Sequence, residues 1–331
     1  MRCLLLALLT LVTTASNGLA WGSEGHKTVG KIADVILEQN PSVRERVRQI
    51  LGDNSLSDVS VWADCAKGFT YCHMEPTPEQ QAYADKNPRH HSFHYTDVPI
   101  QQSQYRAGTA GTGADDVVQV IKYAFSVLRG NPSSQGPAKL SQREALWLLA
   151  HLVGDIHQPL HVGAIYLDRE CDDIVDPNAV GAPPGFGIGS TVGSTEGGTK
   201  LMLNSSKHLH SYWDDDTVRG AMRLLNIRNR SIEDFARAIV ANPPSGWQTS
   251  GDSETWSTQW ATEIMPLANG ALSRVEIDEG ALVEGERELK CTAHVTRERG
   301  YAQWANKQAL NQLGKAGFRL AELIKAALGF P

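Results

Sequence analysis

SQREALWLLAHLVGDIHQPLH, from Ser141 to His161, is the stretch on which the fold turns. Ser141, with Glu144 three residues on, has the form of a capping box and so of a helix start. Leu146, Trp147, Leu148, Leu149, Leu152 and Val153 leave that helix no polar face, and a helix apolar all round belongs in a core. His151 and Asp155 therefore enter the core together, about 40° apart around the axis. A buried charge without a partner is costly, so both need one. For an isolated pair, a hydrogen bond between the two would be enough. Pro159 must end or kink the helix, which redirects the chain before His161. A rigid kink followed by a further histidine points to convergence. Metal is the natural focus, because imidazole nitrogen and carboxylate oxygen are ligands for zinc.

On either side the chain reads as more helices. Segments near 25–39, 41–51, 114–129, 231–241 and 301–328 carry apolar residues at helical spacing, and the central one extends over 141–158. Val117, Val118, Ile121, Phe125 and Leu128 form one such stripe, which is read as a core face. Strand signals are confined to HSFHYTDV and TKLML. The stretch from Leu167 to Gly198 is rich in Gly, Pro and Asp and reads as a long surface loop. Its GFGIGSTVG follows no strand and opens no helix, so it fails the context a phosphate-binding loop requires. The expected architecture is all-α: one helical domain over 21–331 with a long Gly-rich loop.

The first twenty residues stand apart. Arg2, an apolar run from Leu4 to Val12, and small residues at Gly18 and Ala20 have the form of a secretory signal peptide cut after Ala20. The run is too short to span a bilayer, and no later segment reaches that length. A secreted or extracytoplasmic protein is expected. Cleavage would leave Cys65, Cys72, Cys171 and Cys291, enough for two disulfides in an oxidising compartment. Three connectivities exist; Cys65–Cys72 with Cys171–Cys291 is the expected one, since the first closes a short local loop. No CxxC pair supports a cysteine zinc site. Asn204 and Asn229 match glycosylation acceptors.

Net charge is −6 at pH 7, with no Lys/Arg run. A protein that holds duplex DNA by neutralising phosphates would look different. An anionic substrate would need something other than lysine and arginine to hold it, and bound metal would serve.

Four further motifs carry candidate ligands. WGSEGH puts Trp21 and His26 at the expected new N-terminus, where a free amine and the carbonyl of one residue can chelate a metal. VWADCAK holds Asp64 and Lys67, and FHYTD holds His94 and Asp97. HLHSYWD repeats the i, i+4 spacing in His210 and Asp214. Each taken alone suits a core or surface residue equally well. Two His–Asp pairs plus His161 are harder to ascribe to independent hydrogen bonds.

The combination WGxxGH, WAD, HYxD, HxxxDxHQPLH and HSxWD, in this order, resembles the zinc-dependent single-strand-specific nucleases: the S-one/P-one nucleases of fungi, the bifunctional nucleases of plants, and the class I nucleases, or 3′-nucleotidases, of protists. AGFRLAELI near the C-terminus resembles the last helix of that family, so the likeness spans the mature chain. The resemblance implies three zinc ions on nine ligands. Asp64, His94, His151 and Asp155 would hold one. Trp21, through amine and carbonyl, and His26 would hold a second, bridged by Asp155. His161, His210 and Asp214 would hold the third. It further implies hydrolysis of the P–O3′ bond of single-stranded DNA and RNA to 5′-phosphate products, and removal of 3′-phosphates from nucleotides. Asp64 and Lys67 would act at the reaction centre, and Tyr95 and Asp97 would bind the base by stacking and hydrogen bonding. A monomer is expected. Gly197–Thr199 reads GGT where the family often has GGN, a departure that touches base preference rather than hydrolysis.

Among the remaining histidines, His157 is expected to make a structural hydrogen bond, and His73, His90, His91, His208 and His294 to lie on the surface. Two rivals stand beside the nuclease. A zinc-dependent phospholipase C would share the fold and a similar site. A secreted zinc-binding homologue without activity would share the ligands alone. Tyr95 with Asp97 and the Asp64–Lys67 motif favour the nuclease.

Overall fold

The capping box at Ser141 forms as read. Ser141 Oγ accepts from Glu144 N at 3.2 Å, and Glu144 Oε2 accepts from Ser141 N at 2.8 Å. It starts the central helix, and every residue from Glu144 to Asp155 in that helix is buried. Losing the hydroxyl in Ser141→Ala should lower the unfolding free energy by about 1 kcal/mol. Denaturant titration of the two proteins, with unchanged slope, checks this.

The computed structural model describes residues 21–330, apart from 69–71, 73–75, 169–170, 172, 180–192 and 285–288. The expected leader and nearly all of GFGIGSTVG lie outside the described residues. Among the described residues the first helices are α1 (Ser23–Leu37), α2 (Pro41–Leu51), the short α3 (Leu56–Val59) and α4 (Trp62–Ala66), and α5 (Pro78–Lys86). α6 (Val117–Leu128) and α7 (Gln142–Asp155) follow, then the brief α8 (Leu209–Ser211), α9 (Thr217–Leu224) and α10 (Ile232–Ala241). α11 (Trp256–Leu272) and α12 (Tyr301–Ala327) complete the set. The fold is mostly helical, as expected.

Helix α7 is the axle: α1, α2, α3, α4, α6 and α12 all pack on it. α1 also lies along α12, and Gly317 allows the close approach, since a Cβ there would come within 2.4 Å of Ile32 Cβ. Burial of α7 on every side explains why its sequence shows no amphipathic stripe.

Among the described residues the strands are short, apart from the two of one hairpin, Val275–Glu284 and Leu289–Arg297. β1 (Val98–Pro99) pairs in parallel with β2 (Gly163–Ala164), just beyond Asp97 and His161. β3 (Tyr166–Leu167) pairs with β4 (Ile174–Val175), so the stretch read as a continuous loop contains a small hairpin. β5 (Leu201–Asn204), β6 (Lys207–His208), β7 (Val275–Glu284) and β8 (Leu289–Arg297) form one sheet in the order β6–β5–β8–β7, with β5 parallel to β8.

Three expectations change. HSFHYTDV opens in a 3₁₀ turn that spans His90–His94 and reaches strand only at Val98; the turn carries His94 inward, whereas an extended run would alternate it with its neighbours. The β7–β8 hairpin goes unread because charged residues alternate along it with short apolar ones. α11 goes unread because Pro266 lies within it; that proline is solvent-exposed, where water can take the hydrogen bond it removes.

The Cys65–Cys72 disulfide is present, directly after Asp64. Cys171 is also disulfide-bonded; the side chain of Cys291, its expected partner, lies outside the described residues.

Candidate metal centre

Asp155 closes α7, and three imidazoles meet it in the core. His26 Nε2 lies 3.3 Å from Oδ1, while His94 Nδ1 and His151 Nε2 lie 3.1 and 3.2 Å from Oδ2. Asp64, from α4, stands with its Oδ1 3.6 Å from both His94 Nδ1 and His151 Nε2. Lys67, one turn on, reaches that same oxygen at 2.8 Å. The rings of His26 and His151 stack with centroids 3.8 Å apart.

The chain leaves α7 at Asp155, and the 3₁₀ turn Pro159–His161 brings His161 against His210. Their Nε2 atoms lie 3.0 Å apart, and Asp214 Oδ2 is 3.6 Å from His210 Nε2. Ligand atoms thus gather in three compact groups: His26, Asp64 and His151; His94, His151 and Asp155; and His161, His210 and Asp214. Trp21 is fully buried at the start of α1, and the next amide, Gly22 N, donates to Asp214 O at 3.0 Å. That bond ties the backbone next to Trp21 to the His210 segment.

Hydrogen bonding shows what these rings can do. His151 Nδ1 donates to Ser60 O at 2.6 Å, His161 Nδ1 to His94 O at 2.7 Å, and His210 Nδ1 to Gly197 O at 2.7 Å. A carbonyl only accepts, so each Nδ1 carries the proton and each neutral ring offers a lone pair at Nε2. Two such lone pairs, on His161 and His210, therefore point at each other across 3.0 Å. Burial opposes relieving this by a second proton, since it lowers the pKa of His161. A cation between the two nitrogens would relieve it.

Charge in the larger group points the same way. Burial, then His151, lowers His26 to about 4, and burial, then Lys67, lowers His94 to about 3. For Asp64, burial disfavours the charge, but Lys67 and the histidines outweigh it and hold the carboxyl below its usual range. Burial likewise resists charge on Asp155, yet His151 and His161 pull its pKa well down. His151 itself is raised, because Asp155 and Asp64 overcome the cost of burial. Buried imidazoles, of which His26 and His94 resist protonation, around carboxylates held ionised make a donor set that suits a cation. The residues present fit a metal cluster.

Each residue singled out in the sequence is accounted for. His26, Asp64, His94, His151, Asp155, His161, His210 and Asp214 come together, with Lys67 against Asp64. Tyr95 stands 40% exposed beside His94. Asp97 is buried and accepts from Ser194 Oγ at 3.1 Å. His157 makes the structural bonds expected, donating through Nδ1 to Val153 O at 2.7 Å and meeting Arg319 Nη1 at 2.9 Å. Two surface assignments are corrected. His90 is buried edge-on against Tyr83, and His208 is buried with Nδ1 accepting from Ser211 N at 3.1 Å. His91 and His294 are exposed, and His73 lies outside the described residues.

Sequence reasoning passed over Gln158. This residue is fully buried, and its Nε2 donates to Asp214 Oδ1 at 2.9 Å. The available signal was a polar residue set between the apolar helix and Pro159.

Comparisons with known proteins give the chain a family. The chain is 24% identical to endonuclease 5 of Arabidopsis thaliana over 270 residues, covering 78% of this chain and 75% of that protein. It is 25% identical to endonuclease 4 of the same plant over 259 residues, covering 76% and 71%. Nuclease S1 of Aspergillus oryzae is 29% identical over 149 residues, covering 43% and 44%. The S1/P1 nuclease family model matches residues 21–329, a span that holds every side chain described above, and the chain belongs to that family.

Proposed function

We propose that this S1/P1-family hydrolase of phosphoester bonds is a zinc-dependent endonuclease. In this reading it cuts P–O3′ bonds of single-stranded DNA and RNA, leaves 5′-nucleotides, and removes 3′-phosphates from nucleotides. The observation that carries the metal part is the 3.0 Å meeting of two Nε2 lone pairs, those of His161 and His210, in a buried site. Asp64, His94, His151 and Asp155 would hold one zinc, Trp21 and His26 with Asp155 a second, and His161, His210 and Asp214 the third. Bound there, the ions would supply attraction for phosphate and activation of water near neutral pH.

The rest falls to the protein. Lys67, with a side chain 8% exposed, puts a fixed positive charge at the edge of the acid-rich centre, where an arriving phosphate meets it. It also keeps Asp64 ionised and so able to act as a ligand. Asp155, placed among three imidazoles, keeps them aligned. The exposed ring of Tyr95 offers a face on which an unstacked base can lie, and a base inside a duplex cannot reach it. That is the physical basis proposed for single-strand preference. Asp97, braced by Ser194, can only accept hydrogen bonds when ionised, which suits the amino and imino edges of bases. We further propose export behind residues 1–20 and action as a monomer. Among the described residues no helix is long and apolar enough to cross a membrane.

Release of acid-soluble nucleotides from single-stranded DNA tests the reading. Chelation should abolish release, and added zinc should restore it. Release that persists through exhaustive chelation would overturn the zinc assignment. No release from zinc-loaded protein would move the case to the phospholipase reading.

A further inference from the structure

The candidate ligands form two bodies joined at the end of α7. His26, Asp64, His94, His151 and Asp155 make one; His161, His210 and Asp214 make the other. The second body draws its members from two places: the turn that starts at Pro159, and the continuous stretch of α8 and the residues after it, which carries His210 and Asp214. The side chain of Gln158 links these two places, bonding Asp214 on one side and the turn that carries His161 on the other.

The amide of Gln158 is used at both ends. Its Nε2 donates to Asp214 Oδ1 at 2.9 Å, and its Oε1 accepts from Leu160 N at 2.6 Å. The first bond occupies one carboxylate oxygen and leaves Oδ2, buried and without a hydrogen-bond partner, turned toward His210. The second pins the tight turn in which His161 N donates to Gln158 O at 3.0 Å. Leu160 is in turn wedged against Gly197. A Cβ on that glycine would fall 1.9 Å from Leu160 O, and the left-handed φ of +57° is one that glycine adopts freely. Gly197 O is the acceptor that orients the His210 ring. A single amide therefore sets Asp214 directly, His161 through its own turn, and His210 through Leu160 and Gly197.

We propose that Gln158 is a positioning residue for one metal only, the ion that His161, His210 and Asp214 would hold, and that it governs retention of this ion separately from the other two. This rests on the three-zinc reading above. Partners of this kind, which orient a ligand without touching the metal, typically set affinity by ten- to a hundred-fold. Gln158→Met keeps the buried volume and deletes both hydrogen bonds; Gln158→Ala is the second variant.

The experiment is equilibrium dialysis of the full-length mature protein against buffers of graded free zinc, with zinc per chain measured by atomic emission. The wild type should hold three zincs over a range in which Gln158→Met holds two, the third leaving at about ten- to a hundred-fold higher free zinc. Gln158→Ala should show the same single step, larger if the turn also relaxes. Loss of all three ions together would mean a general structural role and would overturn the proposal. Retention of all three, as in the wild type, would overturn it as well. A wild type that holds no zinc would defeat the three-zinc reading itself, and the proposal with it.

Discussion

Asp155→Ala should reduce kcat/KM on single-stranded DNA by about a thousand-fold or more, with loss of bound zinc. The carboxylate is within 3.3 Å of nitrogens from His26, His94 and His151, and among the described residues no other acid is shown so close to all three rings. Its removal leaves three imidazoles facing one another and takes out the group proposed to join two ions. Several kcal/mol of transition-state charge stabilisation depends on metals held in place, and about 4 kcal/mol corresponds to that thousand-fold loss. Turnover and zinc content are to be measured on the same preparation. A variant that keeps both would remove Asp155 from the ligand set. One that keeps zinc and loses turnover would show that the carboxylate serves the reaction rather than the metal.

The second large effect is on stability, at the far side of the same motif. Arg319, on α12, is 2% exposed and ties together three distant parts of the chain. Its Nε donates to Trp247 O at 2.8 Å, its Nη1 donates to His157 Nε2 at 2.9 Å, and its Nη2 pairs with Glu263 on α11. The guanidinium also lies 5.7 Å from the ring centroid of Trp260. Burial lowers the Arg319 pKa, and Glu263 offsets this. Arg319→Ala would strand a buried imidazole and a carbonyl. Because Glu263 is 40% exposed and can turn to water, the cost is placed at the lower end for a broken buried pair, about 3 kcal/mol. In Tm this is a fall of roughly 5 °C or more. Arg319→Lys should recover only part, since an ammonium cannot reproduce the planar fork. An unchanged Tm in Arg319→Ala would show that the network contributes nothing net.

How much of this was legible in the sequence depends on how local the cause is. The capping box, the apolar α7 and the kink at Pro159 are set by neighbours within a few residues, and all three could be read. The His–Asp pairs could be read because helical spacing alone puts four-apart residues on one side. Which group each ligand joins could not, because that depends on how α1, α4 and the Asp214 segment cross α7. His90 looked like a surface residue because its burial comes from Tyr83, a partner seven positions upstream on a different helix. Gln158 and Arg319 escaped for a related reason. Their importance lies in bonds to Asp214, Trp247 and Glu263, all more than fifty residues away. The β7–β8 hairpin has the period of a strand, but Glu, Asp, Lys and Arg dilute the β-forming residues that usually announce one.

That hairpin has a further consequence. β8 lends a neighbour to β5 and so braces the stretch that leads into His210, but β7 is left as the outermost strand. An outer strand presents unpaired backbone groups that another chain can join, the usual start of edge-to-edge aggregation. Glu276 and Asp278 are exposed along β7. Two molecules meeting there would bring like charges into register, and the growing sheet would be refused at its first step. The acidic residues that hid the strand from view are the ones that keep it from recruiting another.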